Sequence, residues 1–251
     1  MNRVNIQPTG IPLVDEKWGG FYKNSSYLLI GPRKSGRSLL ALQYAVECAK
    51  QKQVCLYFSS VRPKELMILA ASMDIDLEYF MNKNLIIVVK VAFPEDYSVY
   101  NSYDSYLAEF LNDILKIVGE FKPDKIVFDE ITPLIGFNDT LILRETYQGL
   151  IESIEDSGIT SLFIVREPAS ELTTNIVNVL ISCSTGIIYL SKHENEGSPQ
   201  GEITIIPNVG HTEGKFSSQY KIDGAKGLVL DIQGIITSEH DADSKLISEP
   251  I

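Results

Sequence analysis

The chain has 251 residues, 44% of them hydrophobic and 22% charged, and a formal net charge of −11. That length fits one large α/β domain, or at most two small ones, with an ample core, and the composition is ordinary for a soluble globular protein. An acidic chain with no dense basic run repels nucleic-acid phosphates, which argues against constitutive DNA binding.

No apolar run is long enough to span a bilayer, and no charged stretch followed by an apolar one marks a signal peptide, so a cytoplasmic protein is expected. The run Tyr27, Leu28, Leu29, Ile30 predicts a buried strand. A glycine-bearing stretch, 31–38, follows it. Residues 39–49 then carry apolar side chains at helical spacing, rich in Ala and Leu, which predicts a helix. A second strand is expected at 54–58, followed by Ser59 and Ser60 and by a helix that Pro63 opens. Further along, 85–91 predicts a strand, 107–118 a helix, 125–128 a strand, 141–156 a helix ended by Gly158, and 161–165 a strand. Residues 187–190 and 202–206 read as paired strands joined by the polar loop 191–201, and 217–222 and 227–230 as two more. Strands alternating with helices, then strands in succession, predict an α/β fold with a mainly parallel central sheet and an antiparallel C-terminal extension.

No internal repeat is evident. Residues 1–235 form the expected domain, and 236–251, polar and acidic, read as a disordered tail. Tyr97, Tyr100, Tyr103 and Tyr106 recur every third residue. Such a stripe suits a partner surface, but more often it is the mixed face of a helix entry, and that reading is favoured. Cys48, Cys55 and Cys183 are scattered without a C-x-x-C pair, as expected of reduced, packed thiols.

The stretch 31–38 carries the chemistry. It matches the phosphate-binding loop G-x-x-x-x-G-K-[ST] except at Arg37, where the pattern has lysine. Strand, glycine loop and helix in that order are the context the motif needs. Gly31 and Gly36 permit backbone angles that side chains forbid, and the loop N–H groups, at the positive end of the next helix, face an anion. The expected nucleotide-binding residues are Gly31, Lys34, Ser35, Gly36, Arg37, Ser38 and Leu39. Ser38 is placed to give its hydroxyl to Mg²⁺. The second element is the strand 125–128 ending in Asp129 and Glu130, in which Asp129 is the candidate Mg²⁺ carboxylate.

Together these residues resemble the KaiC-like branch of the RecA-type P-loop ATPases. The opening Thr9, Gly10, Ile11, Pro12, Leu13, Val14, Asp15, followed by Gly19 and Gly20, is similar to the family's entry, and the likeness continues through the loop, Asp129, 158–165, 186–190 and Gly210–His211. The resemblance implies a RecA-like sheet flanked by helices, ATP or ADP with Mg²⁺ as ligand, and homo-oligomeric rings, often hexamers, with nucleotide between neighbours. Three departures stand out. Arg37 replaces the loop lysine, and an arginine is not a conservative substitute at a tight site. Ser59 and Ser60 stand where the family carries two water-polarising glutamates. Pro207, Asn208, Val209 and Gly210 stand where it carries a basic K-x-R-G stretch that reaches the neighbour's nucleotide.

These departures favour a catalytically impaired protein that keeps nucleotide as a structural or regulatory ligand and serves as a signalling or scaffolding component. The alternatives are a slow ATPase with Glu130 as general base and Lys34 or Arg37 as phosphate clamp, and a DNA-interacting recombinase paralogue. The last needs basic loops, which 131–140 and 168–178 lack.

Overall fold

A computed structural model describes residues 5–91, 102–192 and 200–231. A small entry module comes first: β1 (Ile6–Gln7), α1 (Pro12–Trp18) and β2 (Phe21–Tyr22). It leads into β3 (Ser26–Gly31), α2 (Arg37–Lys50), β4 (Cys55–Ser59), α3 (Pro63–Ala71), α4 (Leu77–Asn82) and β5 (Ile86–Lys90). Next come α5 (Tyr103–Phe121), β6 (Lys125–Asp129), a 3-10 turn at Thr132–Leu134, α6 (Thr140–Asp156), β7 (Thr160–Arg166) and α7 (Glu171–Cys183). The described residues end with β8 (Gly186–Leu190), β9 (Gln200–Pro207), β10 (Phe216–Asp223) and β11 (Gly227–Leu230).

Among the described residues, nine strands form one sheet in the order β11-β10-β9-β8-β3-β7-β6-β4-β5. The strands from β8 to β5 run parallel, and β9, β10 and β11 join them antiparallel. Helices cover both faces of the parallel part, so its strands read as continuous apolar runs rather than alternating ones. Every residue of β3 is buried. Tyr27 and Leu29 pack on the face that holds α1 and α2, and Leu28 and Ile30 pack on the face that holds α5, α6 and α7.

The predicted architecture holds, and the differences are local. Helix α5 is longer than 107–118 because the Ser102 hydroxyl caps it by accepting from the Ser105 N–H. Tyr103 and Tyr106 lie in its first turns, and Tyr106 is buried, which agrees with a helix entry. Tyr97, Tyr100 and the 236–251 tail lie outside the described residues. Helix α7 was not anticipated. Its sequence is rich in β-branched residues of modest helix propensity, and burial of Ile176, Val177, Val179 and Leu180 decides it. Helices α1 and α4 are short, with 7 and 6 residues, too short for a periodic signal. Among the described residues, no helix is long and apolar enough to cross a membrane.

Candidate functional site

The site lies at the C-terminal edge of the parallel strands. Gly31 pairs with Arg166 in register, and Ser59 pairs with Asp129, so four strand ends arrive side by side. Crevices outside the carboxyl ends of such strands, where the order of connection reverses, are where α/β sheets bind ligands. Here β3 sits between β7 and β8 while the chain passes from it to β4, beyond β6.

The loop after β3 turns through Lys34, at φ 63, and Gly36, at φ 93, before α2 begins. Gly31 must lack a side chain, because a Cβ there would lie 2.9 Å from Leu190 Cβ and 2.8 Å from Ser35 Oγ. No side chain caps α2, and no acidic residue occupies its first turn. Among the described residues, the backbone N–H groups of Lys34, Gly36, Arg37, Ser38 and Leu39 find no acceptor. Ser35 is buried, and its Oγ is also without a partner among them. A row of unspent donors at a helix N-terminus is the arrangement that suits an anion.

Support for the loop comes from the antiparallel extension. Tyr220 of β10 donates its hydroxyl to the Ser35 carbonyl at 2.7 Å, with the Ser191 carbonyl at 3.0 Å.

Asp129 is 7% exposed. Ser38 Oγ donates to its Oδ1 at 3.1 Å, and Tyr57 OH donates to its Oδ2 at 2.7 Å. Burial pushes the Asp129 carboxyl above the usual carboxylate range, while the Tyr57 and Ser38 hydrogen bonds and the Arg37 charge pull it back. Burial, followed by the Asp129 charge, raises the Tyr57 phenol, which therefore stays protonated and donates.

Glu130 follows Asp129 across a cis peptide bond. Its Oε2 lies 2.8 Å from Arg37 Nη1, with side chains only 13% and 10% exposed. The pair is ionic and off the hydrogen-bonding line, so Arg37 Nη1 is buried with its hydrogens unspent. The other oxygen, Oε1, accepts from Arg166 Nη2 at 2.9 Å.

The site thus gathers Gly31, Ser35, Gly36, Arg37, Ser38, Asp129 and Glu130. Leu39 contributes its N–H, since its side chain is in the core. Lys34 is exposed. Ser59 is buried beside Asp129, its Oγ accepting from the Val61 N–H at 3.2 Å, and the Ser60 N–H donates to the Asp129 carbonyl at 3.0 Å. Neither position brings a carboxylate. Residues 207–210 sit elsewhere: Pro207 is opposite Gly186, which is beside Tyr27, four positions before Gly31. That is about 13 Å along the strand from the loop.

Sequence reasoning missed Tyr57, Arg166 and Tyr220. Only Arg166, a charge directly after a buried apolar run, left a signal. Tyr57 and Tyr220 looked like strand filler.

A loop of unspent N–H groups beside a Ser38–Asp129 pair fits an Mg²⁺-bound phosphate: the hydroxyl and carboxylate oxygens already face one another, as a shared hard cation requires. With the sheet order, these features define a RecA-like P-loop ATPase fold. The chain belongs to the KaiC ATPase family, whose match covers residues 7–231. It is 25% identical over 217 residues to the circadian clock oscillator protein KaiC of Synechococcus elongatus, an alignment covering 85% of this chain and 40% of that protein. It is 27% identical over 217 residues to KaiC of Prochlorococcus marinus, covering 85% of this chain and 42% of the other. The chain therefore spans about two fifths of the curated relatives it matches. Among solved structures, a KaiC-like protein of the hyperthermophilic archaeon Pyrococcus horikoshii OT3 superposes with a TM-score of 0.69 at 21% identity, covering 91% of this chain and 99% of the other. At that identity the likeness speaks for the fold.

Proposed function

We propose that this KaiC-family domain binds ATP or ADP with Mg²⁺ as a structural or regulatory ligand and turns it over slowly or not at all, serving as a signalling or scaffolding component. The observation that carries this reading is the Arg37–Glu130 pair. The loop's basic residue is committed to an internal carboxylate, and that carboxylate, next to Asp129, has an arginine on each oxygen. Two guanidinium groups and near-complete burial keep water from Glu130, and a general base must reach its water, so slow hydrolysis through Glu130 is the weaker reading. Ser59 and Ser60 supply no substitute.

The residues divide the work simply. The N–H groups of 36–39 would hold phosphate oxygens, and Ser38 and Asp129 would hold the metal. Bound Mg²⁺ supplies positive charge against the phosphates. Tyr57 keeps the Asp129 carboxylate oriented. We further propose assembly as a homo-oligomeric ring, a hexamer being the size the resemblance implies. In such a ring the uncharged stretch 207–210 would bring a neighbour's site no basic residue.

Thermal-shift titration with Mg-ATP and Mg-ADP tests binding. A ligand at 100 times its Kd stabilises the fold by about 2.7 kcal/mol, and no shift at millimolar nucleotide would reject the reading. Phosphate release above background, abolished by Glu130→Gln, would instead support the slow ATPase.

A further inference from the structure

Glu130 offers two oxygens to two guanidinium groups, and both groups rise from the base of the phosphate loop. Arg37 is the first residue of α2, directly after Gly36. Arg166 ends β7, in register with Gly31, and the next residue, Glu167, donates its N–H to the Gly31 carbonyl. The two arginines therefore flank the loop from its helix side and its strand side. Paired guanidinium donors are the geometry that recognises phosphate, and a carboxylate satisfies the same donors.

The degree of burial adds a second observation. Arg37 and Glu130 are nearly enclosed, whereas Arg166 is half exposed. Arg37 Nη1 keeps its hydrogens unspent although it lies 2.8 Å from Glu130. The Arg37 end of the contact is therefore an ion pair off the hydrogen-bonding line.

We infer that Arg37 and Arg166 form an anion clamp that Glu130 occupies in place of a phosphate, so that Glu130 is an internal competitor for the nucleotide and Arg166 is a phosphate-binding residue. This rests on the proposed nucleotide site and adds its regulation. Phosphate oxygens entering the loop meet a clamp already closed on a carboxylate. Binding exchanges one anion for another, and the affinity reflects the difference between them. Any contact that draws Glu130 away from the arginines tightens nucleotide binding, and any that seats it more firmly expels nucleotide.

The test is a double-mutant cycle read by isothermal titration calorimetry with Mg-ATP, on the full chain, with circular dichroism verifying the fold of each variant. Glu130→Gln is expected to tighten binding on the order of tenfold, the scale of releasing the Arg37 ion pair together with the Arg166 charge-assisted hydrogen bond. Most of that gain should vanish in the Arg37→Ala background, and part of it in the Arg166→Ala background. An equal gain in all backgrounds would mean only that a negative charge was removed, and unchanged or weaker binding would mean that Glu130 does not compete. Either result overturns the clamp while leaving the nucleotide site intact. If neither the wild type nor Glu130→Gln binds Mg-ATP, the nucleotide reading itself fails. Should Glu130→Gln not fold, a crystal structure of the wild-type chain with a non-hydrolysable ATP analogue decides: Arg37 and Arg166 on phosphate oxygens support the clamp, and both still on Glu130 refute it.

Discussion

Asp129 and His211 show how single residues are held against their preference. Asp129 sits where burial disfavours its charge, and two hydroxyl donors keep the carboxylate usable. Tyr57→Phe removes the donor at 2.7 Å. Urea unfolding should show a loss of about 1.5–3 kcal/mol, the range for a hydrogen bond to a charged group. The Mg²⁺-dependent part of any nucleotide stabilisation should shrink with it. His211 is buried between Trp18 and Tyr22, whose rings stack at 4.2 and 4.3 Å, and Tyr27 OH lies 2.8 Å from its Nε2. Burial pushes its imidazole below the ordinary value, with the Glu213 charge pulling the other way. The unfolded chain therefore binds the proton more readily. The stability this histidine contributes is present above an unfolded pKa of about 6.5 and is lost as pH falls through the lower folded value. Urea midpoints should drop between pH 7 and pH 5, and the drop should be smaller in His211→Gln.

At the scale of elements, the phosphate loop is a joint between β3 and α2 that β10 braces. Gly36 lies at φ 93, and a Cβ there would come 3.2 Å from Ile222 Cδ1 of β10. Gly36→Ala combines left-handed strain with that contact. It is expected to cost about 1–2 kcal/mol in thermal or urea unfolding and to abolish the Mg-ATP thermal shift, because the N–H groups at the start of α2 lose their common direction. An unchanged midpoint would mean that the loop relaxes freely. Helix α7 makes a related point: its β-branched sequence forms a helix because the sheet face above it buries Ile176 and Leu180. Propensity gave way to packing there.

At the scale of the molecule, the net charge of −11 sets what the protein meets easily. The proposed nucleotide would have to be drawn in by local donors against an unfavourable overall field. Nucleic acid, with many phosphates and no matching basic stripe, should not be retained. A gel-shift titration with single-stranded DNA at low salt is expected to show no complex at micromolar protein. A salt-dependent shift would revive a nucleic-acid role.

Unlike α1, α4 and α7, the strands of the central sheet, the helices at 39–49, 107–118 and 141–156, the phosphate loop and the partnership of Ser38 with Asp129 were legible in the sequence alone. They depend on local periodicity, on glycines at turning points, and on a carboxylate ending a buried strand. The departures at Arg37, Ser59 and Ser60 were visible too, as residue types at known spacing. Which groups Arg37 meets was decided only by the tertiary structure. Arg166 is 129 residues away in the chain and comes beside the loop because β7 pairs with β3. Tyr57 reaches Asp129 because β4 pairs with β6, and Tyr220 reaches Ser35 because β10 pairs with β9 at the edge of the sheet next to the site. Sequence spacing encodes which groups are near in the chain. Which groups share a low-dielectric site follows from the sheet that gathers them.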